Sequence, residues 1–228
     1  MSETLKAETE EQVLDTIKWA VAEKKSLDVR GTGSKSKLGR PMKLDHVLDL
    51  SALSGVKFYK PAELVLSAGA ATPVAEVEAL LNDQSQQIAF EPPDLGPLLG
   101  NRAGGGTLGG LLACNLAGSR RIKAGSARDH FLGFTAVSGR GEVFKSGGRV
   151  VKNVTGFDLS KLMAGSYGTL AVMTEVTVKV LPAPEKIRTV LINWERDGIY
   201  DHGGTKAMID ALASPHEVSG AAHLPAAV

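Results

Sequence analysis

The sequence predicts an α+β chain: two α/β lobes over residues 1–60 and 61–184, followed by an incomplete α+β segment over residues 185–228. Three observations predict it. Short β-branched runs alternate with helix-period segments, two glycine-rich loops interrupt that alternation, and prolines at Pro61, Pro182 and Pro184 punctuate it.

In the first lobe, Thr9 and Gln12 have the spacing of a capping box, and Val13, Ile17, Ala20 and Val21 recur at helical period, so a helix runs to Lys24. Leu27–Arg30 and His46–Leu50 read as strands beneath it. The second lobe opens with a strand over Leu64–Ala68. Thr72-Pro73 then starts a helix with proline at its first position, and Val74, Val77, Leu80 and Leu81 form the buried face. Phe131–Val137 and Glu142–Phe144 flank Ser138-Gly139-Arg140-Gly141 as a β-hairpin. Asp158 is placed to cap a short helix over Leu159–Met163. From Thr169 to Leu181, the shared parity of Leu170, Val172, Val176, Val178 and Val180 predicts a long strand with one buried face. Beyond Pro184 the pattern gives a strand at Val190–Trp194, a helix at Gly204–Ala213 and a strand at Gly220–Leu224. One β-α-β piece cannot bury both its faces unaided, which predicts a loosely held tail.

Gly104-Gly105-Gly106-Thr107-Leu108-Gly109-Gly110 runs into an apolar, helix-like stretch. Glycines let bare backbone approach anionic oxygens, and the following helix would aim its positive end at the same place. Gly104, Gly106 and Gly109 fit G-x-G-x-x-G, but the preceding Asp94–Arg102 stretch reads as loop and not as the strand a dinucleotide turn requires. Close helix packing is the structural alternative. The second loop, Gly31-Thr32-Gly33-Ser34-Lys35, follows the Leu27–Arg30 strand. Its amides, the Thr32 and Ser34 hydroxyls and the Lys35 ammonium form a donor set suited to a pyrophosphate; a solvated turn has the same composition.

A net charge of +1 excludes an electrostatic surface for nucleic acid, and no apolar run approaches the roughly 20 residues of a bilayer span. Cys114 is the single cysteine, so an intrachain disulfide and a cysteine-held metal or iron–sulfur cluster are excluded. The five histidines lack ligand-like spacing, and no metal site is expected. The polar start Met1-Ser2-Glu3-Thr4 is unlike a signal peptide and places the chain in a reducing cytoplasm. Asp129-His130 mimics an acid–base pair, but two neighbours in an extended stretch point opposite ways, so a structural reading is preferred.

Val29-Arg30-Gly31-Thr32-Gly33-Ser34, Gly106-Thr107-Leu108-Gly109-Gly110 and Arg128-Asp129-His130-Phe131-Leu132-Gly133 occur in an order that resembles the vanillyl-alcohol-oxidase, or PCMH-type, FAD-binding domain. Gly147–Leu159, with Lys152, Asn153 and Asp158, and then Gly165–Leu170 narrow the resemblance to the family of FAD-binding E subunits of bacterial glycolate oxidase. The resemblance is close from Ala20 to Pro184. It implies a PCMH-type fold whose C-terminal α+β cap needs more chain than follows Pro184, hence a C-terminally truncated sequence.

Carried over residue by residue, the resemblance implies that Arg30, Gly31, Thr32, Gly33, Ser34 and Lys35 hold the FAD pyrophosphate. Gly105, Gly106, Thr107, Gly109 and Gly110 form the second cofactor segment. Ala113, Asn115 and Gly118 line the flavin, with Gly125, Arg128 and Gly133 continuing that wall. Gly168, Thr169 and Leu170 return to the cofactor, and the Val172 backbone pairs with adenine. Tyr167 replaces an acidic residue common in the family. Ser34, Lys35 and Ser36 stand where relatives carry a covalently linked histidine, which implies non-covalent FAD. The implied reaction is oxidation of a small 2-hydroxy acid such as glycolate to the 2-oxo acid, here glyoxylate. Electrons would pass to an iron–sulfur subunit within a complex that also holds a second flavin subunit. Any membrane association would come through those partners, and no catalytic base is assigned. The alternative is a flavin-free module that stabilises partner subunits.

Overall fold

The computed structural model describes residues 3–148, 156–192 and 202–224. Three strands form a small parallel sheet in the order β1 (Glu3–Lys6), β3 (His46–Asp49), β2 (Leu27–Arg30). Between β1 and β2 runs α1 (Glu10–Ala22), capped by the Thr9 hydroxyl, which accepts from the Gln12 amide at 3.3 Å. The Gln12 side chain reaches the Glu8 amide at 2.6 Å, so the box closes one residue earlier than the sequence spacing predicts. Val13, Ile17 and Ala20 are buried on its inner face. Val13 and Ile17 are joined by Leu48 and by Val137 and Val172 of the larger sheet, so α1 packs between both sheets.

The larger sheet is antiparallel throughout, ordered β4 (Val56–Lys60), β5 (Val65–Gly69), β9 (Ala171–Lys179), β7 (Phe131–Ser138), β8 (Val143–Gly147). The chain thus changes sheets between Leu50 and Val56. Against this sheet pack α2 (Val74–Asn82), α3 (Leu108–Cys114), α5 (Ala127–His130) and α6 (Leu159–Met163), around Leu66, Leu81, Phe90, Leu112 and Phe131, while the short α4 (Arg121–Ala124) buries none of its residues. Each such aliphatic or aromatic side chain contributes about 1.5–3 kcal/mol by burial. A two-residue ladder of β6 (Gln86–Gln87) with β10 (Leu181–Pro182) closes one side. The 131–147 hairpin and the Asp158-capped α6 form where expected, whereas Pro73 occupies the cap of α2 and not its first turn.

The parity expectation for β9 needs correction. Pairing shifts between Thr135 and Ala136, leaving Thr174 as an extra residue on β9. A bulge interrupts the two-residue period. Ala171 and Met173 therefore share the main core with Val176 and Val178, while Val172 turns to the α1 side, and both faces of the strand are covered.

Beyond Pro184, α7 (His202–Ala213) forms, but residues 190–192 and 220–224 adopt no strand, which corrects that expectation within the described residues. Ile187, Val190, Leu191 and Ile192 are exposed, with no second layer over them among the described residues. Lys152, Asn153, Asn193 and Trp194 lie outside the described residues.

Candidate functional site

β2 delivers the chain into the 31–38 loop. Arg30 is turned back along its strand by an ion pair with Asp28, with Nε donating at 2.8 Å. The loop curls tightly: Ser36 N–H donates to the Gly33 carbonyl at 3.0 Å, and Leu38 N–H to the Lys35 carbonyl at 2.9 Å. Gly33 has φ +71°, the left-handed conformation that lets successive amides form an anion-binding concavity. The amides of Thr32, Gly33, Ser34 and Lys35 donate to no protein acceptor among the described residues. That run of unused donors fits a diphosphate.

The second glycine segment is locked against this loop. Thr32 Oγ1 donates to the Gly105 carbonyl, and Asn101 Nδ2 to the Ser34 carbonyl at 3.0 Å. A Cβ on Gly31 would stand 3.1 Å from the Thr107 methyl, so Gly31 allows the close approach. Asp94 braces the loop from behind, accepting from Gly96 N–H at 3.0 Å and Gly104 N–H at 2.8 Å; those bonds hold its carboxyl below the usual range. Sequence reasoning passed over Asp94 and Asn101. The Asp94-x-Gly96 Asx turn was the available signal.

At the start of α3 the amides expected to meet anionic oxygens have protein acceptors instead. Leu108 N–H donates to the Thr72 carbonyl at 2.9 Å, Gly109 N–H to the Ala70 carbonyl at 2.8 Å, and Gly110 N–H to Thr107 Oγ1 at 3.3 Å. The first-turn donors of α3 are consumed by protein. Gly109 meets the close-packing description, since a Cβ there would lie 2.7 Å from the Ala70 oxygen.

Ala113, Asn115 and Gly118 follow at and beyond the end of α3, all half-buried. Asn115 ends the helix with φ +51° and spends its Oδ1 on the Arg128 amide at 3.0 Å. Gly118 packs on Glu91, whose carbonyl would be 2.6 Å from a Cβ. Gly125 ends α4 with φ +85°, and Arg128 Nε donates to the Lys161 carbonyl at 3.1 Å. Gly133 lies inside β7, where a Cβ would stand 2.5 Å from the Gly148 nitrogen. Tyr167 N–H donates to the Ala113 carbonyl at 2.9 Å, and Gly168 lies beside Val29, its Cβ position 3.9 Å away. Thr169 and Leu170 are exposed next to it, and Val172 is buried one turn further into the sheet. The structure thus links the 31–35, 105–107, 113–115 and 165–168 segments at the junction of the two sheets.

His130 is buried, with Nε2 2.8 Å from the Ala124 carbonyl and Nδ1 3.2 Å from that of Lys179. Asp129 instead accepts from the Ser126 amide and hydroxyl. The two serve structure, although they lie in a short helix and not in the extended stretch the sequence argument assumed. No group of three or more His, Cys, Asp or Glu among the described residues could hold a metal ion. No helix among them is long and apolar enough to cross a membrane.

Interlocked glycine loops between a small parallel sheet and a larger antiparallel one define a nucleotide-cofactor scaffold. Residues 2–147 match the family model described as FAD binding domain, and the chain belongs to that family; its cofactor is FAD. It is 42% identical over 172 residues to glycolate oxidase subunit GlcE of Escherichia coli (strain K12), covering 75% of this chain and 47% of that protein. It is also 40% identical over 89 residues to glycolate oxidase subunit GlcD of Bacillus subtilis (strain 168), covering 39% of this chain and 19% of that protein. The chain thus spans less than half the length of these relatives. Among solved structures, an alkyldihydroxyacetonephosphate synthase superposes with a TM-score of 0.63 at 20% identity, covering 80% of this chain and 32% of that one, a likeness of fold.

Proposed function

We propose that the chain is the FAD-binding part of a glycolate-oxidase-type 2-hydroxy-acid dehydrogenase complex. The observation that carries the reading is the run of amides from Thr32 to Lys35 that have no acceptor among the described residues, set against Gly105–Thr107 at the junction of the sheets. Those amides and the Arg30–Lys35 loop hold the pyrophosphate; Gly105, Gly106 and Thr107 set its other side, with Gly109 and Gly110 fixing how closely α3 approaches. Ala113, Asn115, Gly118, Gly125 and Arg128 wall the flavin, and Gly168, Thr169, Leu170 and Val172 line the adenosine end. Bound FAD supplies the two-electron acceptor for the hydroxy-acid carbon, which side chains alone cannot provide. The protein's own work is to position that acceptor and exclude water. With Ser34, Lys35 and Ser36 where a histidine linkage would stand, FAD is held without a covalent bond.

In this reading electrons leave to an iron–sulfur partner, alongside a second flavin subunit. The similarity to both GlcE and GlcD supports such an assembly. The complex works in the cytoplasm, meeting any membrane through its partners. The test is anaerobic addition of glycolate to the assembled, yellow complex: bleaching of the flavin band is expected, and an unchanged spectrum would contradict the substrate assignment.

A further inference from the structure

Glu91 carries φ +53°, the left-handed conformation, although it is not a glycine and Pro92 follows it. A residue before proline prefers extended backbone, and a non-glycine residue at positive φ persists only where its surroundings fix it. What fixes Glu91 is the turn beyond α3. Gly118 N–H donates to the Phe90 carbonyl at 2.9 Å, and a Cβ on Gly118 would stand 2.6 Å from the Glu91 carbonyl oxygen and 2.9 Å from its Oε2. The carboxylate then grips the next two residues: Oε2 accepts from Ser119 Oγ at 3.0 Å and from the Arg120 amide at 3.4 Å, while Oε1 lies 3.8 Å from Arg120 Nε. Arg120 Nη1 donates to Gln87 Oε1 at 3.2 Å and ties the same turn to β6. Among Arg120, Arg121, Lys123 and Arg128, only Arg120 is half-buried, and it alone has a carboxylate within ion-pair distance among the described residues.

We propose that Glu91 is a positioning residue for the flavin half of the cofactor site, seating the Gly118–Arg120 turn. The inference rests on the FAD reading above, in which Gly118 walls the flavin, and it gives that wall its support. The left-handed backbone sets the Glu91 carbonyl and carboxylate against the same face of Gly118, so the turn cannot slide past Glu91 without losing both contacts. The hydrogen bonds of Glu91 and Arg120 run to Ile88, Gln87 and residues 118–124, and none reaches the 31–35 or 105–107 segments. The brace therefore acts on the flavin wall and leaves the diphosphate loop as it is.

The test is titration of the flavin-free full chain with FAD and with ADP, for wild type, Glu91→Ala and Glu91→Gln, together with visible circular dichroism of the FAD-loaded proteins. Loss of the acceptor for one hydroxyl and one amide predicts about tenfold weaker FAD binding by Glu91→Ala, with an altered visible dichroism as the ring changes its seat. ADP affinity should stay within about twofold, because the diphosphate loop lies outside the brace. Glu91→Gln keeps an oxygen able to accept both bonds and should recover most of the FAD affinity and the wild-type dichroism. Ser119→Ala removes one of the two bonds from the other side and should show the same pattern at about threefold, which keeps the test open if Glu91→Ala fails to fold. Equal losses for FAD and ADP would overturn the proposal, since Glu91 would then brace the fold as a whole. So would unchanged FAD affinity and dichroism in Glu91→Ala, or a Glu91→Gln that behaves like Glu91→Ala. A folded wild-type chain that ignores FAD would instead remove the cofactor reading, and the proposal with it.

Discussion

Single residues in this chain divide into those that leave donors free and those that use them up. Gly109 belongs to the second kind: with a Cβ position 2.7 Å from the Ala70 oxygen, it has no room for a larger side chain. Gly109→Ala should therefore cost about 1–3 kcal/mol by overpacking, read from the urea midpoint. Ser126 caps α5 and lowers the carboxyl range of Asp129 through an amide and a hydroxyl bond, with smaller help from Lys161 and Arg128. A carboxyl lowered on folding contributes stability that is present above its ordinary value, 3.8, and is lost as pH falls through its folded value. Ser126→Ala should lower stability by about 1 kcal/mol at neutral pH. It should also flatten the acid limb of the stability curve; an unchanged limb would show that Asp129 does not contribute to it.

At the scale of elements, α1 was legible because its cap and its period are local signals, and so was the 131–147 hairpin. β1 and β4 were not. Each is a short edge strand whose pairing partner lies some 40 residues away for β1, with β3, or across a tight turn at Pro61 for β4, with β5. The bulge at Thr174 escaped for a related reason: an extra residue is visible only against the strand opposite it. The partners of the Leu108 and Gly109 amides escaped because their acceptors, the Thr72 and Ala70 carbonyls, come from a distant turn. The tail is the element least supported by packing, with Val190 79% and Leu191 82% exposed. Limited proteolysis should cut after Pro184 before any site in the two sheets; cleavage that begins within residues 56–180 would contradict that order of stability.

For the whole molecule, the α+β architecture and the two glycine loops followed from motif order, because glycine placement is dictated by backbone geometry that the sequence displays directly. What holds the loops together did not follow. The Asn101–Ser34 and Thr32–Gly105 bonds join the two glycine segments, Asp94 braces the second of them from within its own loop, and only the folded chain brings these groups into register. The joined segments are also where the central claim can be tested. The measurement is the visible absorption spectrum of the purified chain, followed by denaturation and chromatographic separation of FAD from FMN. The account predicts flavin bands on the native protein and their complete release as free FAD. A folded, colourless protein that gains no flavin bands when FAD is added would contradict the account and favour a flavin-free assembly role, while colour that stays with the denatured chain would contradict non-covalent binding.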